Sequence, residues 1–313
     1  MSNRSAHAIL FGLALGDALG RPTEFMTLDG DGGIKARYGE DGIQNPPVPS
    51  LYTDDTQMTL ALLEGVLEAG MNADDDTLMT AIGSRFVAWA QDVRPDRAPG
   101  TTCLSGIARY AAGIVWRESG ILHSKGCGSA MRVAPLGYLY QHNEARLRHV
   151  TAQTSIITHR HSTAIAASVA AAYLVKLALD GVPVEQFLGR VLAFIEDLDE
   201  DCYRTLLRVG HVLSWGSEER ALKHIGEGWE GDEAVALALY CVLKFPKSYV
   251  DAVRRGANTD GDSDSVASIA GGIMGARLGW EGLPHDWVVH CENAPILEAL
   301  AQRMTEARDA TKS

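Results

Sequence analysis

The chain has 313 residues, 46% of them hydrophobic, enough for a large core in one or two domains. Lys and Arg number 28 against 40 Asp and Glu, a formal charge of -12, which argues against a phosphate-tracking nucleic-acid surface but leaves room for a local basic pocket. The five cysteines (Cys103, Cys127, Cys202, Cys241, Cys291) are spread out with no Cys-x-x-Cys pair, which argues against a disulfide framework or a thiolate zinc site. No apolar run reaches the roughly 20 residues of a membrane span. Residues 1–7 are polar without a signal-peptide pattern, so no membrane contact and a cytoplasmic location are expected. With no linker, composition break or repeat, one domain over 1–313 is expected.

In chain order, residues 8–19 are small and apolar and predict a helix that holds Asp17, read as a buried, hydrogen-bonded acid. Gly20 and Pro22 end it. Glu24 follows, and its residue chemistry leaves two readings equal: a carboxylate that swings onto a site, or a surface acid. Residues 29–42 form a Gly-rich loop, and the prolines of 45–49 forbid a helix. Thr53 can cap a helix over 56–69, and Asp54 and Asp55 suit its first turn. Residues 76–91 repeat the helical period with Leu78, Ile82, Phe86 and Trp89, and 94–102 and 123–129 are loops. Residues 164–179 form a helix hidden on most sides. Further helices are expected over 184–198, 232–243, 248–255, 265–278 and 295–307, and period-2 alternation is scarce, so the fold class is all-α. The acidic runs 74–76 and 196–201 read as helix caps or solvated charge.

Chemistry concentrates in two oxygen-rich clusters, Thr53-Asp54-Asp55-Thr56 and residues 259–265. Two unit charges about 4 Å apart repel by roughly 4 kcal/mol at an effective dielectric near 20. Carboxylates that share a pocket therefore need a cation or protons. Asp260, Asp262 and Asp264 suit the start of a calcium loop, but Ser265 and Gly271 stand where that loop needs Gly and Glu. Oxygen-only donors suit Mg²⁺, Mn²⁺ or Ca²⁺. Gly126, Gly128 and Ser129 precede Arg132, whose partner is expected to be a structural acid; such a loop can also approach an anion. His161 reads as a cap, and His159 can contact a ligand.

Five segments, GDALGRPTEF (16–25), YTDDTQMTLAL (52–62), GCGSAMRVAPLG (126–137), ITHRHSTA (157–164) and NTDGDSDSVASIAGGIMGA (258–276), together resemble the ADP-ribosylglycohydrolase family. These are ADP-ribosyl-acceptor hydrolases that include dinitrogenase reductase-activating glycohydrolase. The resemblance implies a compact orthogonal helical bundle with two divalent cations, Mg²⁺ or Mn²⁺. It implies Thr53, Asp54 and Asp55 as metal ligands from one side, and Asp262, Asp264 and Ser265 from the other. Glu24 and Asp55 are implied as the catalytic carboxylates. Gly126, Gly128, Ser129, Met131 and His159 are implied at the ADP-ribose, and Asp96 matches least well. The implied activity removes ADP-ribose from modified protein side chains, arginine-linked first, by cleavage at the distal ribose. Serine-linked or O-acetyl ADP-ribose, a phosphoester hydrolase, and a non-catalytic relative are the alternatives. A monomer is expected.

Overall fold

The protein is described here by a computed structural model covering residues 4–310, so residues 1–3 of the polar start lie outside it. Seventeen α-helices and no strand occur among the described residues. They run α1 (Ser5–Gly20), α2 (Ile34–Tyr38), α3 (Asp54–Ala69), α4 (Asp75–Asp92), α5 (Thr101–Ala111) and α6 (Trp116–Ser119). Next come α7 (Ala134–Leu139), α8 (Glu144–Ile156), α9 (Ser162–Leu179), α10 (Phe187–Ile195), α11 (Glu200–Val212) and α12 (Glu218–Ile225). The last five are α13 (Gly231–Lys244), α14 (Tyr249–Ala257), α15 (Ser263–Leu278), α16 (His285–Val288) and α17 (Ala294–Ala310).

At the centre, α1 and α15 press backbone on backbone. Gly12, Gly16 and Gly20 recur every four residues and share one face of α1. A Cβ at Gly16 would overlap the carbonyl oxygen of Ala267, one at Gly20 the backbone of Asp264, and one at Gly271 the carbonyl oxygen of Gly12. Tyr249 of α14 pins the crossing by donating its hydroxyl to the Gly12 carbonyl at 2.6 Å. Around this pair pack α14, α13, α9, α7 and α17, while α4 rests on α3.

Helix α9 requires a correction to the sequence reading. Its 18 residues have a mean hydropathy of 1.6 and are long and apolar enough to cross a membrane by length and composition. Here 83% of them are buried by neighbouring helices, so the segment serves as a core helix. Two boundaries also differ. The loop expected over 29–42 contains α2, and the helix expected from 184 begins as the 3-10 turn Val184–Gln186 before α10. The acidic runs behave as caps: Asp74 accepts from Thr77 N at 3.0 Å and Asp199 from Cys202 N at 2.9 Å.

The glycine contact predicts a sharp contrast. Gly16→Ala should lower unfolding free energy by about 1–3 kcal/mol through overpacking. Gly189→Ala, in α10 with open space around it, should raise it by roughly 0.5–1 kcal/mol. Urea denaturation of both variants checks this; equal effects would contradict the backbone contact.

Candidate active site

Asp17 is the first piece of the site. It is fully buried in α1, where an ionised carboxyl survives only with donors around it. Thr53 supplies its N–H at 2.8 Å and its hydroxyl at 2.9 Å to Oδ1. Thr56 supplies its N–H at 3.0 Å and its hydroxyl at 2.6 Å to Oδ2. Both amides belong to the start of α3, whose first N–H groups have no partner within the helix. Asp17 therefore caps α3 from another helix and fixes where Asp54 and Asp55 point. Burial, then the Asp264 charge, pushes its pKa up to about 7, against the pull of the Thr56 and Thr53 bonds.

The two acidic clusters meet where α3 and α15 begin. Thr53, Asp54, Asp55, Asp262, Asp264 and Ser265 are all buried. Asp54 accepts from Gly100 N at 3.0 Å, and the Thr53 hydroxyl lies 3.3 Å from Asp55 Oδ2. Asp262 accepts from the Cys127 thiol at 2.7 Å. Asp54, Asp55 and Asp262 are pushed well above the usual carboxylate range, first by burial; Asp264 is pushed up for the same reason. The Asp264 charge adds to the shift in the other three. Asp260 stays outside and accepts from Leu28 N at 2.5 Å.

Among the described residues, no three His, Cys, Asp or Glu side chains form a ready-made metal cluster. The donors nevertheless fit a hard divalent cation. Asp55 Oδ1 and Asp264 Oδ1 are buried oxygens with no hydrogen-bond partner, a state that folded proteins reserve for strain, chemistry or a missing ion. The surrounding donors are carboxylates and hydroxyls.

These residues floor a cavity of about 280 Å³ whose walls include Glu24, Asp54, Asp55, Gly126, Gly128, Met131, His159, Asp262 and Ser265. Thr53 and Asp264 are buried beneath the floor. Glu24 is half-buried, and its pKa rises to about 11 through burial, then through the charges of Asp264, Asp262 and Asp54. Phe25, beside it, is held at φ +65 by a two-way backbone bridge, Phe25 N to Gly261 O at 3.0 Å and Gly261 N to Met26 O at 2.9 Å. A bulky residue at positive φ is strained, and such strain concentrates at functional sites. Its exposed ring stacks on Trp229 at the cavity wall, centroids 5.2 Å apart.

Arg132 is fully buried and donates to Gly128 O at 3.1 Å, Thr154 O at 2.9 Å and the Thr158 hydroxyl at 2.9 Å. The expected acid partner is absent among the described residues; carbonyls and a hydroxyl take its place. The Thr158 hydroxyl also shares a hydrogen bond with His159 Nδ1 at 2.9 Å. Burial, then Arg132, drives the His159 pKa down to about 3, so the ring is neutral. Its edge lies over Gly126 and Gly128, where a Cβ would press on it. His161 caps α9, accepting from Thr163 N at 3.2 Å.

Two expected site residues fall elsewhere. Ser129 is turned inward by the 3-10 turn Cys127–Ser129; it is fully buried, 3.5 Å from Ala164 O, and does not line the cavity. Asp96 is exposed, pairs with Arg94 at 3.4 Å and faces a neighbouring cavity. The backbone amides of Gly126 and Cys127 already donate, to Ser124 Oγ at 3.3 Å and Trp229 O at 3.1 Å, which weakens the anion-cradle reading. Sequence reasoning missed Cys127, Phe25 and Trp229 as cavity residues; only the last lies outside the five motifs. A larger cavity, about 370 Å³, lies near Lys35, Glu218 and Arg255, where Lys35 pairs with Glu219 at 2.5 Å and Arg255 with Glu218 at 3.5 Å.

The chain is similar to known proteins. The ADP-ribosylglycohydrolase family model matches residues 2–313. ADP-ribosylhydrolase ARH3 of Mus musculus is 28% identical, covering 81% of this chain and 76% of its own. ADP-ribosylarginine hydrolase Tri1 of Pseudomonas putida is 26% identical, covering 96% and 77%. A solved structure described as an ADP-ribosylglycohydrolase-related protein complex superposes with a TM-score of 0.73 at 26% identity, covering 98% of both chains.

The raised carboxyls set a sign for stability. A group whose pKa is higher folded than unfolded stabilises fully below its unfolded value, near 4, and loses that contribution as pH rises through its folded value, about 7 for Asp17. In EDTA, thermal stability should therefore fall from pH 5 to pH 8. Added Mg²⁺ or Mn²⁺ should raise the melting temperature more at pH 8 than at pH 5. Asp264→Asn should stabilise the EDTA-treated protein at pH 8 and abolish the response to added cation. Thermal melts read all three; a cation response unchanged in Asp264→Asn would overturn the assignment.

Proposed function

The chain belongs to the ADP-ribosylglycohydrolase family, and from that premise we propose that it removes ADP-ribose from arginine side chains of modified proteins with the help of two divalent cations. It is a glycohydrolase that acts on ADP-ribosylated substrates; the linkage and the ions are the finer reading. The observation that carries the reading is the meeting of two acidic helix starts around two orphaned carboxylate oxygens.

Thr53, Asp54 and Asp55 on one side, with Asp262, Asp264 and Ser265 on the other, would hold Mg²⁺ or Mn²⁺. Such ions supply positive charge that fixes ribose hydroxyls and raises the acidity of a water. The remaining work belongs to the chain. The Gly126–Gly128 wall, Met131 and His159 orient the ADP-ribose, with the His159 ring neutral throughout the physiological range. Water attacks the anomeric carbon as the bond to the acceptor nitrogen breaks. Asp55 would take the proton of the water, and Glu24 would give one to the departing guanidine. Cleavage yields intact ADP-ribose and free arginine.

Arginine is favoured by the similarity to proteins named ADP-ribosylarginine hydrolase and by the exposed Phe25–Trp229 pair, whose faces suit a planar cation. Relatives of similar identity carry the name ADP-ribosylhydrolase ARH3, which specifies no acceptor, so serine-linked and O-acetyl ADP-ribose belong in the same test. The free thiols fit a cytoplasmic site of action.

With arginine-, serine- and acetyl-linked substrates, mass spectrometry should find intact ADP-ribose released fastest from arginine, and only with Mg²⁺ or Mn²⁺. Glu24→Gln should cut kcat by about 10²- to 10⁴-fold, and Asp54→Ala should abolish metal-dependent turnover while the fold survives. Full turnover in EDTA, or release of AMP, would sink the reading.

A further inference from the structure

A second cavity, of about 390 Å³, backs onto the first. Glu24, Phe25 and Ala98 line both and form the partition between them. The outer cavity is otherwise walled by Arg21, Pro22, Arg37, Pro95 and Asp96. Its lining holds two arginines and two acids, Glu24 on the partition and Asp96. Asp96 is taken by Arg94 at 3.4 Å. Arg21 reaches only the Asp96 carbonyl, at 3.2 Å, and Arg37 rests 5.3 Å from the Tyr38 ring. Among the described residues neither guanidinium meets a carboxylate. A protein of formal charge -12 thus presents two guanidiniums without a carboxylate partner in one groove.

The groove lies on a particular side of the chemistry. Gly126, Gly128 and His159 line the inner cavity alone, and Glu24 stands between the two spaces. In the proposed reaction Glu24 faces the departing side chain, so whatever carries that side chain extends outward past Glu24 and Phe25. We propose that this groove docks the acidic residues that flank the modified residue of the substrate protein. Arg21 and Arg37 would meet Asp or Glu of that segment. Pro22 and Pro95, lacking N–H groups, give rigid walls that make no backbone demand on it. The inference rests on the proposed function and adds a preference in the acceptor sequence.

Matched ADP-ribosyl-arginine peptides with Asp/Glu or Ser/Gln flanks, and free ADP-ribosyl-arginine, test it on the full chain. At low salt the acidic peptide should have a kcat/KM about three- to tenfold higher, as expected for a few exposed charge pairs. The gap should close toward ~0.5 M salt, where charges are screened more strongly than at 0.1 M. Arg21→Gln/Arg37→Gln should erase the preference by raising KM for the acidic peptide. It should leave kcat, the melting temperature and the free compound unchanged. Turnover of the free compound with no flank preference overturns the groove alone. Equal weakening of free ADP-ribose binding in the double variant also overturns it, since the guanidiniums then hold the diphosphate. No turnover of free ADP-ribosyl-arginine overturns the arginine reading and this proposal together.

Discussion

The closeness of α1 to α15 is the constraint from which the site follows. Without side chains at Gly12, Gly16, Gly20 and Gly271 the two backbones touch, and Asp17 is carried into range of Asp264. From there Asp17 reaches the first turn of α3 and anchors Thr53 and Thr56. One glycine-lined crossing therefore sets the relative position of two acidic helix starts more than 200 residues apart in the chain. A loosely packed crossing would leave room for either cluster to turn toward solvent, which is the cheaper place for a carboxylate.

Charge is held in the site against its own preference. Each cluster carboxyl is disfavoured by burial, and the neighbouring carboxylates add to that cost. Backbone donors such as Gly100 N and the Asp17-capped start of α3 hold the acids in place. Burial governs His159 as well, and with the Arg132 guanidinium nearby its ring stays uncharged. The cavity thus has an acid-rich floor and a neutral imidazole in its wall, a division suited to a ligand with hydroxyls at one end and a heteroaromatic base at the other.

Much of this was legible in the sequence. Caps at Thr53, Asp74, Asp199 and His161 follow from local chemistry, which is why they appear where the residues suggest. The helical class was readable from period alone. Other features were hidden for physical reasons. α8 carries buried Thr151, Thr154 and Ser155 rather than an apolar stripe, so its period is weak. Ser129 sits in a motif but faces inward, because a 3-10 turn rotates successive residues by about a third of a turn. The acid expected for Arg132 is replaced by carbonyls that only the tertiary fold brings together. Trp229 lies far from every motif and reaches the cavity where Cys127 N pairs with its carbonyl and its ring meets Phe25.

The central crossing also has a consequence for the order of assembly. Helix α1 finds its closest partner in α15, more than 200 residues later, and α9, apolar enough to pass for a membrane segment, is completed only by α13 and α15. Contacts of such long sequence separation form late and slowly. Until residues 263–278 are made, an apolar face of α1 and one of α9 stay uncovered in a growing chain, the condition under which nascent proteins aggregate or engage chaperones. The feature that makes the finished centre rigid also leaves the unfinished chain without one.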